Sequence, residues 1–175
     1  MTDSMLCQNR RNAIKMAVRA TRHLGGDMAE FGVFLGNTAK ILIRDKASHQ
    51  TVLLFDSFQG VPETGDCKCT MEQFDENMQE FSFLDFRVWV GLFSGTVPGF
   101  RVPLAFAHID CDNQDGTKLV LNHIKPLMVE GGLIIVDDYH AEFPGVMKAV
   151  DENSDGWNKV VIAGTPHNSV MLFKL

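Results

Sequence analysis

Four aspartates carry the strongest chemical signal in this 175-residue chain. Asp110 and Asp112 follow the apolar run Leu104-Ala-Phe-Ala-His-Ile109, and Asp137 and Asp138 follow Leu133-Ile-Ile-Val136. Carboxylates gathered at neighbouring strand ends raise one another's pKa and resist burial, so four together call for a cation. Oxygen-only donors are hard ligands and suit Mg²⁺, Mn²⁺ or Ca²⁺ better than zinc. Any one of these residues alone would read as a water-facing turn or cap. That reading weakens when four converge.

A second group precedes them. Glu30-Phe-Gly32-Val-Phe-Leu-Gly36 is an E-x-G-x-x-x-G turn between an apolar run and a helical stretch. Its glycines would let a ligand approach the backbone at a helix N-terminus, although glycine also ends strands for structural reasons alone. Asp56, followed by Ser57, ends the next apolar run, where nucleotide-binding sheets place an acid on ribose hydroxyls. The pair of signals favours an adenosine-bearing ligand; the plainer reading is that Asp56 and Ser57 cap a turn. His108 lies inside a strand and reads as a core or sheet-face histidine. Tyr139 and His140 are candidates to line an acceptor pocket, His123 and His167 read as solvated, and Trp89 and Trp157 as packing. Cys7, Cys67, Cys69 and Cys111 form no C-x-x-C pair and read as reduced thiols, with Cys67-x-Cys69 in a polar surface loop.

The elements that must position these groups follow from periodicity. Ile14, Ala17, Val18 and Leu24 mark one face of an opening helix, with Asn9, Arg10, Arg11 and Arg22 largely off it. Strands are expected over 28–33, 51–55, 86–91, 104–109, 133–136, 159–163 and 169–173, with 86–91 and 104–109 both interior. Helices are expected after Gly36, from about Thr70 with a Thr70/Gln73 capping box, over about 117–125, and after Pro144. Strands alternating with helices require parallel pairing and right-handed crossovers. The fold class is therefore α/β: a doubly wound, seven-stranded, mostly parallel sheet closed by an antiparallel C-terminal hairpin.

Composition narrows the partners. A chain of this length with 45% hydrophobic residues suits one domain over 1–175. A net charge of −6 offers no basic footprint for nucleic acid or anionic lipid, and no apolar run reaches the length of a membrane span. The expectation is a cytoplasmic protein acting on a small molecule.

The stretches GDMAEFGVFLG, LFDSFQGVP, GLFSGTVP, AFAHIDCD and GGLIIVDDYHAEFPGVMKAV, in that order from Gly26 to Val150, resemble the macrocin O-methyltransferase family. The resemblance implies a class I methyltransferase fold with S-adenosylmethionine bound by Glu30, Gly32, Gly36, Asp56 and Ser57. It implies Mg²⁺ on Asp110, Asp137 and Asp138, Asp112 as general base, and a hydroxyl acceptor, by default a sugar. It also suggests a homo-oligomer, in which a partner subunit could complete the lid that residues 1–25 form only in part. Where the family often continues its D-x-D segment with an apolar residue and tyrosine, this chain has Asn113-Gln114. Three rival readings stand beside it. A nicotinamide-dependent oxidoreductase would use the glycine turn and Asp56, a metal-dependent hydrolase or phosphatase the aspartates, and a trimmed domain would bind cofactor without turnover.

Overall fold

The structure, a computed structural model, describes residues 8–62, 64–81, 86–164 and 166–174, so Cys7 lies outside the described residues. One sheet organises them, in the order β3-β2-β1-β4-β5-β7-β6. The strands are β1 (Asp27–Phe31), β2 (Val52–Asp56), β3 (Phe86–Val90), β4 (Leu104–Ile109), β5 (Met128–Val136), β6 (Asn158–Ile162) and β7 (Ser169–Phe173). The first five pair in parallel, and β7 lies antiparallel between β5 and β6. This is the expected doubly wound sheet with its closing hairpin. Among the described residues, no helix is long and apolar enough to cross a membrane.

A parallel strand covered on both faces favours apolar side chains, and β4 is buried at every position, with His108 as its one ionisable residue. Successive side chains point to opposite faces, which sorts the core into two layers. Ala29, Phe31, Phe55, Ile109 and Val136 pack on one side, where α5 (Gln114–Ile124) and α6 (Pro144–Asn153) supply Leu121 and Val150. Met28, Leu54, Phe106 and Ile135 face the other, against Ile14 and Val18 of α1 (Gln8–Thr21), Leu42 of α2 (Asn37–Asp45) and Phe74 of α3 (Met71–Met78). The capping box forms as read: the Thr70 hydroxyl accepts from Gln73 N–H, and the Gln73 side chain accepts from Thr70 N–H.

Four details depart from the sequence reading. β3 is an edge strand, not an interior one, because β1 takes β4 on its other side and leaves β3 only β2 as a neighbour. α1 stops at Thr21, and Leu24 sits in the following turn. Arg10 is on the buried stripe of α1, not off it; it stands one turn before Ile14, in line with Ala17, Val18 and Thr21. A short helix, α4 (Phe93–Thr96), interrupts the segment between β3 and β4. The chain order reverses between β1 and β4, so the connections leaving their carboxyl ends diverge and open a crevice there.

Candidate active site

That crevice is a cleft of about 800 Å³ whose lining includes Glu30, Asp56, Asp110, Asp112, Asp138 and His167. The ends of β1, β2 and β4 and the turns after β5 and between β6 and β7 therefore all reach it. Four residues bordering the cleft hold left-handed backbone without being glycine: Phe34 (φ 49°), Cys67 (φ 55°), Asp112 (φ 57°) and Asp138 (φ 57°). Such conformations cost free energy unless the surroundings enforce them, and they concentrate at working sites.

Asp56 supplies part of that enforcement. One carboxylate oxygen accepts from the N–H groups of Val33 (2.7 Å) and Phe34 (2.8 Å), and the other from Phe58 N–H (2.7 Å). The acid thus braces the β1–α2 turn against the loop after β2. A carboxylate has about four acceptor positions, so roughly one remains for a ligand. Ser57 lines the cleft too, its hydroxyl accepting from Gln59 N–H at 3.1 Å.

The glycines serve packing more than ligand approach. At Gly32 (φ 88°) an added Cβ would fall 1.7 Å from the Asp110 carbonyl oxygen, because the chains leaving the paired strands β1 and β4 stay in close contact there. At Gly36 (φ 81°) it would meet the Met78 sulfur of α3 at 2.7 Å. Gly32 lines the cleft, but Gly36 does not.

The aspartates divide. Asp110, Asp112 and Asp138 line the cleft, with ligand oxygens within 4.8 Å of one another. Burial, then the charges of Asp137 and Asp112, push the Asp110 carboxyl well above its usual range. Burial and the neighbouring Asp138 push Asp112 up to about 7. Asp137 faces away from the cleft. Its oxygens accept from Arg10, from His108 at 3.1 Å and from the Ser169 hydroxyl at 2.5 Å. Burial alone would raise its pKa, but His108 and Arg10 hold it well below the usual carboxylate range. His108, Asp110 and Asp137 also bring ligand atoms within 4.8 Å of one another.

Strand alternation explains the buried charge behind the cleft. Glu30, His108, Asp137 and Ser169 share the parity of Met28, Phe106, Ile135 and Met171, and so point to the face that α1 covers. Arg10, 6% exposed, descends from α1 to meet them. The result is a continuous chain, Arg10–Asp137–His108–Glu30, with His108 Nδ1 3.2 Å from Glu30. Burial would lower the His108 pKa, but Asp137 and Glu30 carry it up to about 10, so the imidazolium donates to both acids. Glu30 is 1% exposed, its pKa raised by burial against the opposing pull of His108. Its Oε2 has no hydrogen-bond partner.

The remaining residues sort as follows. His108 is the core histidine expected. His167 is not a solvated bystander: its ring lies 3.3 Å from Asp138 and 3.0 Å from Glu142 at the cleft edge. Tyr139 and His140 do not line the cleft; the Tyr139 hydroxyl donates to Asp151 at 2.8 Å. His123 Nε2 donates to the Phe100 carbonyl at 2.8 Å, beside the Arg101 guanidinium, on the α5 side. Trp89 stacks on Phe55, and Trp157 packs on the core beneath Lys174. Cys67 lines the cleft, whereas Cys69 is buried with its thiol donating to Phe34 C=O. Arg10 was the residue missed, and its i−4 spacing from Ile14 was the signal that could have found it.

The Macrocin-O-methyltransferase (TylF) family model matches residues 1–159. The demethyldecarbamoylnovobiocin O-methyltransferase of Streptomyces niveus is 30% identical, the match covering 73% of this chain and 57% of that protein. The mycinamicin III 3''-O-methyltransferase of Micromonospora griseorubida is 29% identical, with 87% of this chain and 70% of that protein covered. The chain thus spans little more than half the length of the Streptomyces relative. Among solved structures, the O-methyltransferase NovP superposes with a TM-score of 0.83 at 23% identity, over 95% of this chain and 80% of that one. The fold is the class I, Rossmann-like methyltransferase fold.

Proposed function

The chain belongs to the macrocin O-methyltransferase family, and from that premise we propose that it moves the methyl group of S-adenosylmethionine to a hydroxyl of a sugar or glycosylated small molecule, assisted by a hard divalent cation. The observation that carries this reading is the meeting, in one cleft, of two sets of groups with complementary uses. Glu30 offers a buried, unpartnered carboxylate oxygen and Asp56 a spare acceptor position, which suits a cationic, adenosine-bearing ligand. Asp110, Asp112 and Asp138 gather three carboxylates beside them. The relatives are named for O-methylation of demethyldecarbamoylnovobiocin and mycinamicin III, and a further match for 4'-O-methylation of a rhamnosyl-tetracenomycin, which supports the acceptor class.

The carboxylates fit a hard cation. Their donors are all oxygen, and burial with mutual repulsion pushes Asp110 and Asp112 up, the condition a divalent ion relieves. Asp110 and Asp138 would hold it, and Asp137, expected beside them, would back that pair from its bonds to Arg10 and His108. Bound there, the ion would lower the pKa of a nearby acceptor hydroxyl. S-adenosylmethionine supplies an electrophilic methyl group on a sulfonium. Asp112, beside that pair, would take the hydroxyl proton as general base. His167, 3.3 Å from Asp138, would hold that carboxylate in place. Asp56 fixes the turn against which the nucleoside lies, and orientation of the two reactants contributes much of the remaining rate.

A hydrolase would use the carboxylates but leave Glu30 and the Asp56 position without a role. A dinucleotide's pyrophosphate would be repelled by the same carboxylates. The test is transfer of label from methyl-labelled S-adenosylmethionine to a panel of deoxysugar glycosides. Label on the acceptor, lost with chelator and restored by Mg²⁺, is the expected result. Transfer indifferent to chelator would remove the cation, and hydrolysis of phosphate esters without methyl transfer would replace the reading.

A further inference from the structure

A second hollow lies beside the cleft and carries the opposite charge. It measures about 230 Å³ and is lined by Arg11 of α1, by Asn37, Lys40, Ile41 and Arg44 of α2, and by Glu80 of the 3₁₀ turn Gln79–Phe81 after α3. The α2 residues stand at i, i+3, i+4 and i+7, so they form one stripe, roughly 10 Å long, from the helix N-terminus downward. Three cationic side chains thus share the hollow with one carboxylate, in a chain whose net charge is −6. Among the described residues the Lys40 ammonium donates to the Asn77 side-chain oxygen at 2.9 Å and meets no carboxylate. Asn77 itself donates to the Leu35 carbonyl, which fixes that ammonium at the hollow. Arg44 gives Nη2 to Glu80 at 3.0 Å and rests its guanidinium over the Phe81 ring, 4.9 Å from the centroid. One such bond leaves most of its five N–H donors to spare. Lys40 and Arg44 are neighbours at i, i+4, where like charges repel, a cost that an anion between them removes.

The hollow is continuous with the cleft, since Arg11 and Asn37 line both. A molecule seated in the cleft can therefore pass one end between them. Asp110, Asp112 and Asp138 repel an anion from the cleft floor, so charge sorts the two ends of such a molecule, its hydroxyl to the carboxylates and its anion to the hollow. We propose that the hollow is a phosphoryl subsite for the acceptor, Lys40 and Arg44 binding the phosphate oxygens, and that the preferred acceptor is a phosphate ester of a sugar instead of a neutral glycoside. The proposal rests on the methyl-transfer reading above and narrows its acceptor class. Arg44 supplies the planar fork that suits phosphate, and Lys40 the point charge.

Two measurements on the full chain test it. In the first, backbone amide shifts of the isotopically labelled protein are followed as inorganic phosphate is added at constant ionic strength. Saturable shifts over 37–44 are expected, with binding at least roughly tenfold weaker in the double variant Lys40→Gln/Arg44→Gln, which removes two charge-assisted hydrogen bonds. In the second, methyl transfer to deoxysugar 1-phosphates is compared with transfer to the corresponding methyl glycosides. The 1-phosphates are expected to show a kcat/KM roughly ten- to hundredfold higher, expressed in KM. The double variant is expected to bring them down to the level of the glycosides while leaving transfer to the glycosides unchanged, which also shows that it folds. Equal kcat/KM for both acceptors, or phosphate shifts confined to residues outside the hollow, would overturn the subsite and leave the methyl-transfer reading standing. Phosphate binding at 37–44 with transfer to neither acceptor would overturn both, and the hollow would then hold an adventitious ion only.

Discussion

Asp112 and Asp138 are alike in sequence terms, short acids after apolar strands, yet what sets them apart from Asp137 is conformational. Both sit in left-handed backbone, which breaks the alternation that sends Asp137 to the α1 face and turns them back to the cleft. Asp112→Asn keeps the shape and removes the proposed base. It is expected to lower kcat by about 10²–10⁴-fold, the usual contribution of a general base, while cofactor affinity holds; steady-state kinetics beside a binding titration separate the two. Gly32 makes a different demand, since a side chain there must share space with the Asp110 carbonyl at positive φ. Gly32→Ala should cost at least ~3 kcal/mol, combining backbone strain with overpacking. Chemical denaturation measures it, and a change under ~0.5 kcal/mol would show that the ends of β1 and β4 part more easily than their hydrogen bonds imply. At this scale the residue types were legible and their directions were not. Asp56 illustrates why: its position at a strand end is visible in sequence, but its three backbone partners lie on two loops whose approach only the folded chain creates.

Elements were legible wherever a period ran long enough. β4, a six-residue apolar run, is where it was expected, and so are β7 and the α3 cap. The failures share a cause: sequence periodicity is a local property, whereas edge and centre are set by neighbours. β3 alternates like an interior strand but has one partner, and its end leaves Val90 exposed. α5 begins at Gln114, three residues earlier than the apolar period suggests, because the Asn113 side chain accepts from Gly116 N–H at 2.7 Å and caps it. Arg10 was overlooked because charge was weighed above spacing, although 10, 14, 17, 18 and 21 form one stripe. The α3 cap yields a prediction of its own scale. Thr70→Ala removes the hydroxyl half of the capping box, leaving the Thr70 N–H bond to Gln73, and should cost about 1 kcal/mol, or about 2–4 °C in Tm for a domain of this size. Since Phe74 and Met78 of α3 pack at Gly36, the same variant should loosen the glycine turn, seen as faster amide exchange at 33–36.

At the scale of the whole molecule, the cleft is the place where both halves of the sheet meet. β1 and β2 bring Glu30 and Asp56, β4 and β5 bring the aspartates, α1 brings Arg10, and the β6–β7 turn brings His167. The buried chain from Arg10 to Glu30 crosses between those halves, and breaking a buried ion pair from one side costs more than a surface pair because the partner is left charged and dry. A ligand that contacts the strand ends on both sides of the switch point therefore stabilises the domain as one unit, not loop by loop. At a concentration of 100 Kd, S-adenosylhomocysteine should add about 2.7 kcal/mol to the unfolding free energy, which is about 5–11 °C in Tm at this chain length. Mg²⁺ on the carboxylates should add its own increment, and the two should sum if their contacts are independent. Thermal unfolding followed by far-UV and near-UV signals tests this directly. Coincident transitions that move together with ligand would establish that the cleft couples the two halves, whereas a near-UV transition that shifts alone would show a binding half that melts apart from β6 and β7 and would refute the single unit.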